Sequence, residues 1–251
     1  MFQIYVIKMN NSIKENLKIF GCFIGLYIFQ FYLIKYAISL VQLQSTFTNI
    51  AAIAIMVSVT IFILWFYIKM SGLDTFRYRG IRIKAWLWAL ILCISQFLLT
   101  SLLFSYPAWI NPNNIPYGHI IFSFYAIFCH SIASEILFRG ILQKQLSKIS
   151  APWLAIAITT IVNMLVSIMF VPNIFQAFLA GIFIGIIYYK TDKLILGIFY
   201  RALQALLFSI TQFSYGNITL MRLAFFLIVT VLAVYVINRF MKDNLLMNKA
   251  N

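Results

Sequence analysis

The residues with the clearest capacity for chemistry lie in the stretch FCHSIASEILFRG, residues 128–140. It places Glu135 and Arg139 four residues apart in an otherwise apolar run, and His130 four residues before Ser134. A carboxylate can take a proton from an attacking water, and a serine beside an imidazole can act as a nucleophile. The structural alternative is an ion pair within one helix, because residues four apart share a helical face.

The composition of the chain indicates which elements must position these residues. Of its 251 residues, 63% are hydrophobic and 10% are charged, whereas soluble domains carry about 25% charged residues. The chain is therefore predicted to be an integral membrane protein that forms one domain over residues 1–251, with the lipid bilayer as its first partner. The net charge of +14 comes from short basic clusters between apolar runs. No nucleic-acid partner is expected, because there is no continuous basic patch.

Eight apolar runs are long enough to cross about 30 Å of hydrocarbon as helices, at about 1.5 Å per residue. They cover residues 18–42, 48–69, 85–106, 117–139, 151–171, 173–189, 194–212 and 218–239. The predicted fold class is all-α, a polytopic transmembrane bundle of about eight helices. Seven helices are the main alternative, because the turn FVPN between the fifth and sixth runs is very short.

The basic residues predict how this bundle lies in the membrane. Lys and Arg cluster before the first run, in the tail, and in every second loop, at residues 69–84, 139–148 and 190–193. The alternate loops QLQSTF, PAWINPNNIP, VPN and QFSYGN contain no charged residue. Cytoplasmic loops are enriched in Lys and Arg, so eight helices in a cell membrane with both termini cytoplasmic satisfy the pattern.

Glu135 is the only acid within these apolar runs. An unpaired charge at mid-membrane costs about 2.5–3.5 kcal/mol on insertion scales, so an intramembrane acid is a functional candidate by default. Arg201 lies at a comparable depth in the seventh run, and Arg139 is expected at the inner border of the fourth. The sequence therefore predicts either a catalytic carboxylate or a structural bridge in which Glu135 lies between two guanidinium groups.

The stretch SEILFRGILQKQL resembles the first motif, E-E-x-x-x-R, of the CPBP family of intramembrane metalloproteases, also called the Abi or CAAX-protease-and-bacteriocin-processing family. APWLAIAITTIVNMLVS is similar to the family's helix that ends in F-x-x-x-H, and GIFIGIIYYKTDKLILGIFYRALQA to the stretch leading into H-x-x-x-N. The resemblance implies a CPBP/Abi-like core over residues 120–210. It also implies that the first glutamate and the histidine of the second motif handle a metal or an activated water, while the last histidine and asparagine stabilise an oxyanion.

Most of the family's site positions carry other residues in this sequence, and only Glu135 and Arg139 keep the types that the pattern requires. The first glutamate, the phenylalanine, the two histidines and the asparagine are replaced, in chain order, by Ser134, Asn163, Ser167, Arg201 and Ala205. Serine is a poor metal ligand, and arginine does not deprotonate in proteins. No metal and no other cofactor is therefore predicted, and the three isolated cysteines add no thiolate site.

These departures predict a pseudoenzyme of a bacterial membrane that binds or regulates another membrane or cell-envelope protein, or confers bacteriocin immunity. The resemblance implies such roles, because the family includes self-immunity proteins and degenerate members that partner with cell-wall enzymes. An active endopeptidase for prenylated or peptide substrates stays open, with Glu135 essential or with His130 and Ser134 as a nucleophilic pair. A carrier of small solutes is a third alternative. The uncharged loop PAWINPNNIP is the candidate contact for a partner.

Overall fold

The computed structural model describes residues 46–71, 81–109, 117–167, 174–215 and 220–243, together with individual helical residues between 18 and 40. The bounded helices in this part of the chain are α1 (Thr46–Ser71), α2 (Ile83–Phe104), α3 (117–149), α4 (Pro152–Ser167), α5 (Ile174–Thr191), α6 (Leu194–Ser209) and α7 (Leu220–Lys242). With the helical residues before them, they confirm the predicted all-α bundle of about eight helices.

Five of the bounded helices, α1, α2, α3, α5 and α7, are long and apolar enough to cross a membrane. The other two, α4 and α6, have 16 residues each. At 1.5 Å per residue they reach only about 24 Å, which is less than the hydrocarbon thickness. They are nevertheless apolar helices between longer spans. The chain is therefore a multi-pass membrane protein.

Helix α3 continues to Ile149, beyond the predicted end at residue 139. The prediction of a basic loop over residues 139–148 is therefore wrong. The physical reason is that this segment has an apolar face: Ile141, Leu142 and Leu146 are buried in one cluster with residues of α1. The Lys and Arg side chains of the segment lower its mean hydropathy, so an amphipathic helix reads as a loop when both faces are averaged.

Helices α2 and α6 each lead into a short strand, β1 (Ser105–Trp109) and β2 (Thr211–Tyr215). The strands pair antiparallel, with Ser105 opposite Tyr215 and Trp109 opposite Thr211. The sequence predicts only uncharged loops here, so this ribbon is an addition to the helical fold. It brings parts of PAWINPNNIP and QFSYGN to the same end of the bundle, as the alternation of loops requires. The rest of both loops and the turn FVPN lie outside the described residues.

The opposite end of the bundle is held by polar contacts between helix termini. Trp88 Nε1, near the start of α2, donates a hydrogen bond of 2.7 Å to Asp243 Oδ2, directly after α7. Lys84 Nζ lies 3.0 Å from the same carboxylate oxygen. Lys190 at the end of α5 donates to the carbonyl oxygen of Met241. These contacts join the ends of three helices.

The Asp243 contact predicts a specific dependence of stability on pH. Hydrogen bonds from Lys84 and then from Trp88 hold the pKa of Asp243 below its ordinary value of 3.8. A lowered folded pKa contributes stability that is present above the unfolded pKa and is lost as pH falls through the folded pKa. We therefore expect the natural protein to have a higher Tm than Asp243→Asn at pH 7, and the two Tm values to converge below about pH 4. Thermal unfolding in detergent at several pH values measures this, and a constant difference would contradict it.

The centre of the bundle is built where glycines let helices approach closely. A Cβ atom added at Gly181 of α5 would lie 2.7 Å from Thr160 Cγ2 and 3.1 Å from Thr160 Cα, on α4. A Cβ atom at Gly197 of α6 would lie 2.7 Å from Glu135 Oε2, on α3. Small residues at helix interfaces allow this backbone proximity inside membranes. As a result, polar side chains of α3 can reach backbone carbonyls of α5 and side chains of α6.

Candidate functional site

Three of the buried polar side chains of α3, those of Glu135, Arg139 and Gln143, follow one another at intervals of four residues. The backbone from Ile136 to Gln143 is π-helical, as is a second stretch at Tyr125–His130. Such wide turns inside helices are rare and are frequently found at functional sites. The three side chains lie in the helical bundle, where each contacts a helix other than its own.

The carboxylate of Glu135 lies between two guanidinium groups. Its Oε1 accepts a hydrogen bond of 3.1 Å from Nε of Arg201, on α6. Its Oε2 lies 3.6 Å from Nε of Arg139, which makes an ion pair without hydrogen-bond geometry. Glu135 and Arg139 have no exposed surface, and Arg201 is 7% exposed. Both ion pairs considered from the sequence are therefore present, one within α3 and one between α3 and α6.

Arg139 is fully buried within the bundle, and α3 continues past it to Ile149. Its position at the inner border of the membrane stays a prediction. Arg139 Nη2 donates a hydrogen bond of 2.9 Å to the carbonyl oxygen of Gly181, on α5. One turn further along α3, Gln143 Nε2 donates a bond of 3.0 Å to the carbonyl oxygen of Gly185. These two bonds attach α3 to two successive turns of α5.

Asn163 extends the ion-pair cluster to the fourth helix. Its Oδ1 accepts a hydrogen bond of 3.2 Å from Nη2 of Arg201, and its Nδ2 donates one of 3.3 Å to the carbonyl oxygen of Ala177. The sequence identifies Asn163 only as the residue that replaces the phenylalanine of the family's F-x-x-x-H pattern. In the structure it completes a polar chain that links α3, α6, α4 and α5. We call the residues Glu135, Arg139, Asn163 and Arg201 the ion-pair centre.

The remaining predicted positions do not join this centre by hydrogen bonds. Ser134 is buried, and its hydroxyl has no hydrogen-bond partner among the described residues. The ring Nδ1 of His130 lies 3.4 Å from the hydroxyl of Tyr125. No hydrogen bond joins His130 to Ser134 among the described residues, and their role as a nucleophilic pair stays a prediction. Ala205 lies partly buried on α6, and Ser167 ends α4 with a side chain outside the described part.

Several residues of the site were not identified from the sequence. They are Gln143, which binds α5, and the glycines at 181, 185 and 197, which allow the helices to meet. A signal for two of the glycines was present, because Gly181 and Gly185 form a G-x-x-x-G pattern in an apolar helix. That pattern is typical of close helix contacts in membranes. The contact partners themselves have no local signal.

A catalytic zinc, as the CPBP resemblance implies, does not fit the residues of this centre. Such a site takes three protein ligands from His, Asp, Glu or Cys. The described residues contain no group of three such side chains. Glu135 faces two guanidinium groups, which stay positively charged and would repel a metal cation. The arrangement can hold a carboxylate or attract an anion, and the described imidazole, His130, makes its hydrogen-bond contact with Tyr125 and not with this centre.

Comparison with known proteins bears on the central segment. The family model described as type II CAAX prenyl endopeptidase Rce1-like matches residues 116–207. No curated protein matches the chain, and no solved structure matches it either. The matched residues run from the start of α3 to near the end of α6, and so include the whole ion-pair centre. This segment is therefore similar to intramembrane proteases, and the predicted resemblance to the CPBP family of CAAX prenyl endopeptidases is confirmed over it.

Proposed function

We propose that this chain is a non-catalytic protein of the CPBP type that acts by binding another membrane or cell-envelope protein. The observation that carries the proposal is the hydrogen bond of 3.1 Å from Arg201 Nε to Glu135 Oε1. A guanidinium group stays charged in proteins, so it can neither take a proton from water nor ligate a metal. Glu135 thus serves as a counter-charge for arginine instead of as a ligand or a general base.

Peptide hydrolysis needs chemistry that this centre does not supply. A metal-assisted reaction requires a ligand set and a group that accepts a proton from the attacking water. Among the described residues, the groups that pair with the charges of the centre are two guanidiniums, the Glu135 carboxylate, the Asn163 amide and backbone carbonyls. Each of them already contacts another member of the centre or a backbone carbonyl. The centre therefore supports a structural role, which is to hold four helices of the bundle together.

If the centre does not hydrolyse peptides, binding of another protein is the role that we propose for the chain. The resemblance to the CPBP family implies it, since the degenerate members of that family work through protein partners, and bacteriocin immunity would be one form of it. The uncharged segment that contains β1 is the proposed contact. Its pairing with β2 gives this end of the bundle a defined surface.

The proposed location is a bacterial cell membrane with both termini in the cytoplasm. Its support is the distribution of charge over the two ends of the bundle. The β1–β2 ribbon contains no charged residue, whereas the opposite end carries Lys84, Lys190 and Asp243. Cytoplasmic ends of membrane helices are the basic ones.

One purification tests the proposal. The natural protein, Ser134→Ala and Glu135→Gln are purified in mild detergent after crosslinking in native membranes, and three quantities are measured on each sample. These are zinc per chain, hydrolysis of a prenylated reporter peptide, and protein recovered in stoichiometric amount. We expect the natural protein to contain substoichiometric zinc, to leave the peptide intact, and to carry a partner that Ser134→Ala retains.

Two results would overturn the proposal. Stoichiometric zinc together with peptide hydrolysis that a chelator stops would establish the endopeptidase, and this holds for the natural protein even if Glu135→Gln fails to accumulate. The absence of any stoichiometric partner after crosslinking would reject partner binding. The first result concerns chemistry and the second concerns association, so each part of the proposal can fail separately.

A further inference from the structure

The ion-pair centre carries an unbalanced charge inside the membrane. Arg139 and Arg201 contribute two positive charges, and Glu135 contributes one negative charge. The sequence offers no second acid at this depth, because the other four, Glu15, Asp74, Asp192 and Asp243, lie outside the predicted apolar runs. The centre therefore has a net charge of +1, and the two guanidinium groups repel each other.

The unbalanced charge lies mainly at Arg139. This residue is fully buried, and its Nη2 atom has a hydrogen-bond acceptor in the Gly181 carbonyl. Its Nε and Nη1 atoms have no hydrogen-bond partner among the described residues. Thr160, which packs against Gly181, also has a buried hydroxyl without a partner there. Arg139 thus has donor atoms left over where the charge is in excess, while the unpartnered acceptors near it are Glu135 Oε2, 3.6 Å from Arg139 Nε, and Gln143 Oε1.

The usual ways of relieving an intramembrane arginine do not apply to Arg139. A side chain can reach the membrane surface by snorkelling only from near the end of a helix. Arg139 is instead held by its bond to Gly181 and has no exposed surface. A buried water could accept a hydrogen bond from Nη1, but it would leave the charge uncompensated. A negatively charged ligand would satisfy both the donors and the charge.

From this balance we infer that the ion-pair centre binds one small monovalent anion, a halide or a carboxylate group, through Arg139. The anion meets the Nη1 atom of Arg139 and makes the centre neutral together with Glu135 and Arg201. This inference rests on the charge count and does not depend on whether the chain has a protein partner.

Thermal unfolding of the purified full chain tests the inference. Sodium chloride, bromide or formate is added at constant ionic strength against sodium isethionate, whose anion is bulkier. We expect a saturable rise in the Tm of the natural protein, of about 5 °C at an anion concentration on the order of one hundred times the dissociation constant. A rise with chloride and bromide identifies a halide site, and a rise with formate alone identifies a carboxylate site; either result supports the inference.

Single substitutions give the inference a signed pattern. Arg139→Gln leaves a neutral pair of Glu135 and Arg201. The apparent affinity for the anion, read from the rise in Tm with anion concentration, should therefore fall at least about tenfold. Glu135→Gln leaves two cations, so the rise should become larger than in the natural protein. Lys84→Gln removes a cation at the exposed end of the bundle and should behave as the natural protein does.

Two outcomes would overturn the inference. One is a Tm of the natural protein that is the same in all four salts. The other is an equal rise in the natural protein, Arg139→Gln and Glu135→Gln, which would show a general salt effect. If the Arg139→Gln protein does not fold and chloride raises the Tm of the natural protein, ³⁵Cl line broadening decides instead: broadening that bromide or formate reverses supports the site, and its absence at millimolar chloride refutes a halide site.

Discussion

Replacing Glu135 by glutamine is expected to lower the free energy of unfolding by about 3–5 kcal/mol, the cost of removing one partner from a buried ion pair. The amide has nearly the same volume as the carboxylate, so packing changes little. Its loss of charge leaves Arg139 and Arg201 buried without a counter-charge. For a chain of this size the loss corresponds to a fall in Tm of roughly 6–20 °C.

Thermal unfolding in detergent at low chloride measures this effect, with Asp243→Asn as the matched control. That control also converts an acid to its amide, but at the end of the bundle outside the membrane spans, where the ion pair to the half-exposed Lys84 contributes less than a fully buried pair. Arg201→Gln provides a second comparison, because it leaves Glu135 and Arg139 as a neutral pair and should cost less than Glu135→Gln. Equal losses for Glu135→Gln and Asp243→Asn would mean that the centre is not a desolvated ion pair.

Replacing Gly181 by alanine is expected to cost about 1–3 kcal/mol, the usual penalty for overpacking a close contact. The new Cβ atom would lie 2.7 Å from Thr160 Cγ2 and 3.1 Å from Thr160 Cα. A flexible side chain could move away, but a backbone atom cannot do so without shifting α4 against α5. Such a shift also moves the Gly181 carbonyl, which binds Arg139.

Two companion variants show whether the contact itself causes this loss. Gly25→Ala is the matched control, since a Cβ atom there meets no atom of the described residues within 4 Å, and alanine is the better helix former. Thr160→Ser removes the nearest methyl group, so Gly181→Ala should cost less in that background, as a double-mutant cycle measures. A Gly181→Ala protein as stable as the Gly25→Ala protein would contradict the close approach of α4 and α5.

The two retained residues of the family pattern show how far local sequence reasoning can reach. Their spacing of four residues predicted a pair on one helical face, and the structure has that pair at 3.6 Å. The replacements Ser134 and Arg201 argue against a metal at this site, and that expectation stays a prediction. What the spacing could not indicate is that the stronger contact is the one to Arg201, 66 positions further along the chain.

The sequence by itself determined the class of protein, the helices and the intrahelical pair, because these depend on hydropathy and on the helical period, which are properties of short segments. Only the tertiary structure decided the end of α3, the β1–β2 ribbon and the role of Asn163. Each of these depends on contacts between distant segments: Leu146 is buried in a cluster that includes residues of α1, α4 and α5, and Asn163 of α4 meets Arg201 of α6. Spacing and hydropathy describe short segments only, whereas these contacts join residues that are far apart in the chain and are fixed when the helices pack.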